Sequence, residues 1–246
     1  MKTIVTIAVR MKSTRLPQKA LATIAEKPLI RHLIDRVKKA KHPKTVVLCT
    51  SNLPEDAILL EEAKRCAIPS LAGDADNVFQ RFEMAALREG VDHVVRVTGD
   101  NPLTDPEYID RLIEHHLEEG NEYTTVEGLP LGVASEVIAV KALTKARLTL
   151  RDPSKSEYMT FLLKDPNEYQ VGILQADETV KRPHYRLTVD THDDLELMKM
   201  IYNNLYRAEE VFSLAEVVAF MDANPDLAKI NSEIKQRILS NEECKN

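Results

Sequence analysis

The chain has 246 residues, of which 43% are hydrophobic and 29% are charged, and its formal net charge is −6. This composition is typical of a soluble globular protein and leaves room for one large α/β domain or for a domain with a modest insertion. An acidic chain argues against a general nucleic-acid-binding protein, which would be expected to carry a basic face.

Neither a membrane segment nor a secretory signal is predicted. No apolar run approaches the roughly 20 residues that a membrane-spanning helix needs. Met1 leads directly into a strand pattern, without the longer apolar segment and cleavage site of a signal peptide. The three cysteines lie far apart and lack metal-ligand spacing, so we expect reduced thiols and a cytoplasmic protein.

The first half of the chain alternates between strand and helix patterns. Apolar, β-branched runs predict strands, and the amphipathic or capped stretches between them predict helices. The predicted strands lie at 4–9, 45–50 and 93–98, and the predicted helices at 29–40, 54–67, 75–90 and 106–119. Because strands that alternate with helices of this length build βαβ units, we expect an α/β fold with a mainly parallel sheet whose strand carboxyl ends share one edge.

From Tyr123 onward the elements become shorter. Further strands are predicted at 136–140, 169–174 and 185–189, and further helices at 141–150, 156–164, 193–206, 213–221 and 227–238. We treat residues 1–246 as a single domain in which the range of about 123–180 forms an inserted subregion. Such insertions often serve acceptor binding or dimer contact, and the sequence alone leaves both roles open.

Four cations crowd into a short stretch after the first predicted strand, although the chain as a whole is acidic. They are Arg10, Lys12, Arg15 and Lys19, and we call residues 10–19 the cationic loop. Ligands of open α/β sheets bind outside the carboxyl ends of strands, and cationic donors there suit a polyphosphate. The chain lacks both common glycine-rich phosphate loops, so these side chains, with N–H groups near Ser13 and Thr14, would hold the phosphates. The alternative is a solvated loop with scattered lysines.

Two aspartates follow other strand-like runs. Asp100 comes after the third predicted strand, where Gly99 permits a close backbone turn, and Asp190 follows the run at 185–189. Mg²⁺ is usually bound by one or two carboxylates together with substrate phosphates. The two aspartates could therefore converge on one metal ion beside the cationic loop. The structural alternative for Asp100 is a cap of the helix that begins near Pro106, although Thr104 or Asp105 lies nearer to the capping position.

These segments resemble the sugar-acid cytidylyltransferases. Residues 10–19 are similar to the Arg-x-x-Ser-x-Arg-Leu-Pro-x-Lys signature shared by the enzymes that activate acylneuraminate and 3-deoxy-manno-octulosonate. The branch named for spore coat polysaccharide biosynthesis is the most similar. Its Val-Val-Arg-x-Thr-Gly-Asp-x-Pro-Leu and Arg-Leu-Thr-Val-Asp-Thr-x-x-Asp-Leu segments match 94–103 and 186–195, and its nucleotide-side loop resembles 73–78 with Arg81.

The resemblance implies a Rossmann-like nucleotidyltransferase fold, related to the glycosyltransferase-A fold, with three layers and a homodimer. It implies transfer of CMP from CTP to a hydroxyl, phosphate or phosphonate oxygen of a small-molecule acceptor such as a sugar acid, with release of pyrophosphate. Mg²⁺ would be the cofactor, and the pathway would be polysaccharide or surface-glycan biosynthesis. Neither nucleic acid nor membrane insertion is expected.

The resemblance also assigns roles to individual residues. The catalytic residues would be Arg10, Arg15, Lys19 and Asp100. The ligands of Mg²⁺ would be Asp100 and Asp190. The nucleotide would contact Ala8, Arg10, Met11, Ser13, Lys19, Gly73, Asp76, Arg81 and Thr98. The acceptor would contact Glu136, Glu157 and Arg186, although Arg186 could equally pair with acidic neighbours.

The chain departs from the family pattern at several positions. Lys12 and Gln18 replace two loop glycines, and Lys12 either changes the conformational options of the loop or adds a phosphate contact. Ala8 stands where the family has Gln. Ala134 and Tyr158 replace an Asp and a His in the portion expected to see the acceptor.

Two other functions stay open. Asp74-Ala-Asp76 is an Asp-x-Asp, the metal motif of many glycosyltransferases, so a nucleotide-sugar-dependent glycosyltransferase is a second hypothesis. Helix capping by Asp74 or Asp76 is the structural interpretation of the same residues. The loop departures motivate a third hypothesis, a catalytically silent nucleotide-binding subunit.

Overall fold

The computed structural model describes residues 2–150, 152, 156, 159–208 and 210–236. The strands are β1 Thr3–Ala8, β2 Thr23–Ile24, β3 Lys27–Pro28, β4 Val46–Ser51, β5 Ser70–Gly73, β6 His93–Thr98, β7 Tyr123–Glu127, β8 Glu136–Ala139 and β9 Val171–Gln175. The α-helices are α1 Leu29–Val37, α2 Ala57–Arg65, α3 Val78–Glu89, α4 Pro106–Glu118, α5 Val140–Thr149, α6 Met159–Leu163, α7 His192–Leu205 and α8 Leu214–Ala223.

Seven strands form one sheet in the order β5-β4-β1-β6-β8-β7-β9, and β2 and β3 form a small separate hairpin. β1 pairs in parallel with β4 and β6, β4 with β5, and β7 with β9, whereas β8 runs antiparallel to β6 and β7. The predicted α/β fold with a mainly parallel sheet is therefore confirmed. The carboxyl ends of β5, β4, β1 and β6 lie at one edge of this sheet, as parallel pairing requires.

Alternating residues of the strands pack against helices on both faces of the sheet. In β1, Val5 and Ile7 join a core cluster that includes residues of α1, α4, α7 and α8. Ile4 joins the other cluster, with Phe79 and Phe82 of α3. Because successive side chains of a strand point to opposite faces, one continuous apolar run supplies both cores. The result is the predicted three-layer arrangement.

The predicted strand at 185–189 is wrong. Only one isolated bridge forms in this segment, between Arg186 and Leu131. Leu187 N donates to Leu131 O at 2.7 Å, and Val189 N donates to Asp100 O at 2.9 Å. Because its backbone partners are single residues in two different loops, the segment is extended but builds no ladder.

The predicted helix at 227–238 is also wrong over the described residues. A single 3₁₀ turn forms at Leu227–Lys229, and 230–236 carry no helix. The side chain of Asn231 instead bonds Arg186 and Asp194, far away in the sequence. Tertiary contacts of this kind commonly override the local preference for a helix. Residues 237 and 238 lie outside the described residues.

The range 123–180, expected to form an inserted subregion, supplies β7, β8 and β9 to the central sheet, together with α5 and α6. Its roles in acceptor binding and dimerisation stay predictions. The helix predicted at 156–164 is described only over Met159–Leu163. Every helix in the described part of the chain falls short of the length and apolar character that crossing a bilayer demands.

Candidate active site

Three of the predicted nucleotide contacts end strands at the same edge of the sheet. The register pairs Ala8 with Thr98, and it pairs Gly73 of β5 with the last residue of β4. Gly99 N then donates to Ala8 O at 2.8 Å. A Cβ on Gly99 would lie 2.5 Å from a methyl carbon of Val9, so only glycine allows this close approach. The end of β6, with Asp100 two residues further along the chain, is thereby held against the start of the cationic loop.

Lys19 joins the two aspartates that were predicted from strand ends. Its Nζ lies 2.8 Å from Asp100 Oδ2 and 2.8 Å from Asp190 Oδ1. Burial lowers the pKa of the Lys19 ammonium, but the two carboxylates outweigh it and raise that pKa above its ordinary value. The carboxylates of Asp100 and Asp190, ninety positions apart in the chain, therefore contact the same nitrogen atom at the edge of the sheet.

Asp190 also faces two guanidinium groups. Its Oδ2 lies 3.0 Å from Arg15 Nη2 and accepts a hydrogen bond from Arg186 Nη2 at 2.9 Å. Burial alone would raise the pKa of Asp190, but the cations Lys19, Arg15 and Arg186 outweigh burial and bring that pKa below its ordinary value. The carboxylate is therefore ionised at neutral pH. The Arg15 side chain is 40% exposed and thus remains accessible to a ligand.

Asp100 is oriented by its own strand end. Thr98 Oγ1 donates to Asp100 Oδ1 at 2.6 Å, and Asn101 Nδ2 donates to Thr98 Oγ1 at 2.9 Å. The alternative interpretation of Asp100 as a helix cap is wrong. Asp105 is the N-cap of α4, and its side chain accepts a hydrogen bond from Tyr108 N.

The cationic loop contains one residue in a glycine-like conformation. Gln18 adopts φ 57° and ψ 25°, in the left-handed region, which fits the family's glycine at this position. It leads into the 3₁₀ turn Lys19–Leu21 and so sets the direction of the loop's exit. Lys12 does not have a positive φ, so its backbone does not require glycine. Ser13 Oγ accepts a hydrogen bond from Leu16 N at 3.4 Å.

Arg10 contacts the nucleotide-side loop at 73–78, whereas Arg15 and Lys19 contact the aspartates at the ends of the strand-like runs. Its Nη1 donates to Ala75 O at 2.9 Å and lies 3.8 Å from Asp76 Oδ1. Arg81 Nη1 donates to Asp74 O at 2.9 Å. The predicted nucleotide contacts therefore fall into two neighbouring groups, one around Arg81 and one around Lys19.

The Asp-x-Asp segment caps no helix. Asp74 Oδ1 accepts a hydrogen bond from Asp76 N at 2.8 Å, and the side chain of Asp76 is 69% exposed. The N-cap of α3 is Asn77, whose side chain accepts from Gln80 N. The capping interpretation of Asp74 or Asp76 is therefore wrong, and their carboxylates belong to the surface of the loop.

Asp56 is a site residue that the sequence analysis missed. Its Oδ1 accepts a hydrogen bond from Met11 N at 2.6 Å, and its other oxygen is bonded by the Ser51 hydroxyl. Asp56 is buried, so these donors satisfy a charged group that would otherwise be costly to bury. An acidic residue at the beginning of a helix usually complements the helix dipole, and no other signal pointed to this role.

Two of the three predicted acceptor contacts lie in the described residues. Glu136 Oε2 accepts from Arg96 Nη1 at 2.7 Å, and its Oε1 accepts from Tyr123 OH at 2.7 Å. Arg186 is buried and pairs with acidic neighbours, the alternative that the sequence left open. Glu157 lies outside the described residues.

The chemistry of this site fits Mg²⁺. Within the described ranges, no group of three or more His, Cys, Asp and Glu side chains is arranged to hold a metal ion. Mg²⁺, however, needs only one or two protein carboxylates when substrate phosphates supply further oxygens. Asp100 and Asp190 meet that demand, since both already reach the Lys19 ammonium.

Comparisons with known proteins show which family the chain belongs to. A profile of the family described as cytidylyltransferase matches residues 4–216. The spore coat polysaccharide biosynthesis protein SpsF of Bacillus subtilis is 33% identical over 90% of this chain and 95% of that protein. The 3-deoxy-manno-octulosonate cytidylyltransferase of Brucella ovis is 34% identical over 55% of this chain and 54% of that enzyme.

A solved structure of a cytidylyltransferase is also similar to this chain over almost its whole length. A cytidylyltransferase from Leptospira borgpetersenii superposes with a TM-score of 0.86 at 26% identity, covering 98% of this chain and 100% of that one. The profile match alone spans most of the chain, and the Bacillus relative is similar over nearly its whole length. The chain therefore belongs to the cytidylyltransferase family, as its motifs predicted.

Proposed function

We propose that this protein transfers CMP from CTP to an oxygen of a small-molecule acceptor and releases pyrophosphate. The observation that carries the proposal is the meeting of Asp100 and Asp190 at the Lys19 ammonium, with Arg15 beside them. Paired carboxylates suit a divalent ion, and adjacent cations suit a triphosphate. A nucleotidyl transfer needs both, because the divalent ion and the triphosphate bind together.

In the proposed reaction the acceptor oxygen attacks the α-phosphorus of CTP. The bond from that phosphorus to the bridging oxygen breaks, and pyrophosphate leaves with the electron pair. Where the acceptor oxygen is a hydroxyl, its O–H bond also breaks and the proton passes to solvent. Arg15 and Lys19 would stabilise the charge that develops on pyrophosphate, and Arg10 would bind the triphosphate from the other side of the loop. Because carboxylates already hold Lys19 and Arg15, these cations are positioned before the nucleotide arrives.

Asp100 and Asp190 would hold Mg²⁺, which when bound supplies Lewis-acid activation and neutralises phosphate charge. Lys19 carries three N–H donors on a flexible stem. It can therefore exchange a carboxylate partner for a phosphate oxygen as the nucleotide binds. Thr98 keeps Asp100 oriented during that exchange through its hydrogen bond to Oδ1.

The acceptor is proposed to be a sugar acid or a related compound with a hydroxyl, phosphate or phosphonate oxygen. The names of the Brucella and Bacillus relatives support this class and a role in polysaccharide or surface-glycan biosynthesis. Glu136 is the proposed acceptor contact among the described residues. Its partner Arg96 shares a sheet face with Thr98, because residues two apart in a strand point the same way. Glu157 and a homodimer are proposed from the family resemblance.

The decisive assay measures pyrophosphate release with each of the four nucleoside triphosphates and pooled sugar acids and phosphonates. We expect release with CTP, and a loss of at least about a hundredfold in Asp100→Ala, since removal of one transition-state contact typically has that effect. Asp110→Ala is the matched control, because it removes an aspartate outside the site whose carboxylate accepts hydrogen bonds from Lys41 N and His42 N, and we expect it to retain activity.

Three results would contradict the proposal. One is a near-normal rate in Asp100→Ala. Another is release of a nucleoside diphosphate from a sugar-nucleotide donor, abolished by Asp74→Ala, which would indicate a glycosyltransferase. The third is binding of CTP with Mg²⁺ without turnover over the whole acceptor panel, which would indicate a silent nucleotide-binding subunit.

A further inference from the structure

The segment that follows α8 returns to the candidate active site. We call residues 226–236 the C-terminal strap. Within it, Asn231 is only 2% exposed, and its Nδ2 donates to Arg186 O at 2.9 Å and to Asp194 Oδ1 at 2.8 Å. Gln236 Oε1 accepts a further hydrogen bond from Arg186 Nη1 at 2.8 Å. The strap therefore bonds both members of the buried Arg186–Asp194 pair.

Asp194 is the centre of this network. Its side chain is fully buried and accepts hydrogen bonds from Arg186 Nε at 2.9 Å and Arg186 Nη2 at 3.1 Å. Its Oδ2 also accepts from Asp190 N at 2.9 Å and Thr191 N at 3.0 Å. A buried carboxylate without such donors would be strongly unfavourable, so the position of Asp194 depends on all of these partners.

Asp194 fixes Asp190 in two ways. It holds the backbone N–H of Asp190 directly, and it holds the Arg186 guanidinium, which donates from Nη2 to Asp190 Oδ2 at 2.9 Å. The other oxygen of Asp190 is then left to face Lys19. Removing a partner of this network would let the Asp190 carboxylate move relative to Asp100.

We propose that Asn231 is a positioning residue for Asp190. Through Asp194 and Arg186, the C-terminal strap keeps the Asp190 carboxylate directed at the position beside Asp100 that Lys19 Nζ occupies. The inference rests on the proposed function in one respect, since Asp190 is taken to hold the divalent ion. Outer-shell partners of metal-binding carboxylates commonly change metal affinity or activity by about 10–100-fold when they are removed.

The test compares Asn231→Ala with Asn224→Ala. Asn224 is the same residue type in an exposed position nearby, where its Nδ2 donates to Phe220 O. In Asn231→Ala we expect amide hydrogen exchange over 186–195 to become about tenfold faster, because a buried carboxylate loses a donor. We expect the dissociation constant for Mn²⁺ to rise about tenfold. In the pyrophosphate assay we expect kcat to fall about tenfold with KM for CTP within about twofold. Asn224→Ala should change none of these.

The exchange and Mn²⁺ measurements need no turnover, so they separate this inference from the proposed function. A wild-type protein that releases no pyrophosphate would count against the proposed function alone. Exchange over 186–195 that is unchanged in Asn231→Ala, or an unchanged affinity for Mn²⁺, would overturn the positioning role. If Asn231→Ala does not fold, Gln236→Ala decides, because this exposed residue bonds the Arg186 guanidinium and so belongs to the same network. We expect a smaller shift in the same direction, and no shift would overturn the inference.

Discussion

Lys19 occupies the place that a divalent ion would take in the proposed reaction. Its Nζ is 2.8 Å from an oxygen of Asp100 and 2.8 Å from an oxygen of Asp190. In the free protein the ammonium neutralises the repulsion between these two like charges. The same ammonium must leave at least one carboxylate when a metal ion binds there.

The Lys19→Met substitution tests this competition. In the absence of CTP, Mn²⁺ would no longer have to displace the ammonium, so we expect it to bind at least about threefold more tightly. Turnover should fall at least about a hundredfold, because a donor to the triphosphate is lost. Mn²⁺ affinity is measured from the free-ion signal in electron paramagnetic resonance, and turnover by pyrophosphate release.

Lys38→Met is the control for that experiment. Lys38 lies on the surface after α1, where its Nζ donates to Cys66 O at 3.1 Å. Both properties should be unchanged in this variant. Weaker Mn²⁺ binding in Lys19→Met would contradict the competition, since it would mean that the ammonium assembles the ion site rather than filling it.

Some site residues could be predicted because their position is local in the sequence. Asp100 and the cations of the loop directly follow apolar runs, and charge at the end of a strand is visible without the fold. Asp194 and Asn231 could not be predicted in this way. Each looks like an ordinary polar residue of a helix, and its importance comes from burial against partners that are distant in the chain.

At the scale of elements, a chain of buried side chains links β6, α4 and β7. His93 Nδ1 lies 3.0 Å from His116 Nε2, and His116 Nδ1 lies 2.8 Å from Thr124 Oγ1. Burial lowers the pKa of His93, and it lowers the pKa of His116 to about 3, helped by the nearby His93, His115 and Lys141. Both rings are therefore neutral in the folded protein at neutral pH.

This pair makes stability depend on pH. Below pH 6.5 the unfolded chain protonates both rings, whereas the folded chain does not, so the unfolded state binds more protons and the unfolding free energy falls as the pH falls. For His116 the loss is about 1.4 kcal/mol per pH unit, or about 2 kcal/mol at pH 5, and it continues until the folded-state pKa is reached.

Guanidinium unfolding followed by circular dichroism at pH 7 and pH 5 measures this effect. We expect His116→Gln to lose stability at pH 7, through altered packing, and to show a smaller difference between the two pH values than the wild-type protein. His184→Gln, which changes an exposed histidine outside this pair, should keep the wild-type difference. An equal pH dependence in His116→Gln and wild type would contradict the buried neutral pair.

The central strands and most helices could be predicted because their periodicity reflects burial against the sheet. The 93–98 run is an example, since alternate residues of this strand reach both cores. The segment at 185–189 is similarly rich in residues that favour strands but pairs with single loop residues, and its sequence pattern does not distinguish a ladder from isolated bonds. The helix predicted at 227–238 failed for a related reason, because Asn231 is committed to tertiary partners.

At the scale of the whole molecule, parallel topology brings distant parts of an acidic chain to one sheet edge. The loop after β1, the end of β6 and the segment before α7 meet there, and the C-terminal strap bonds the last of them. The net charge of −6 would repel a nucleotide, so the local group of cations must reverse that effect at the site. The sequence alone did not predict that the C-terminal strap bonds Arg186 and Asp194 beside the site.

The most direct measurement is a crystal structure of the protein grown with Mn²⁺ and CTP, with anomalous diffraction collected to locate the metal. Our account predicts an anomalous peak bound by the carboxylates of Asp100 and Asp190, next to the triphosphate and the cationic loop. A peak at Asp74 and Asp76 instead, or a bound triphosphate with no metal between Asp100 and Asp190, would contradict it.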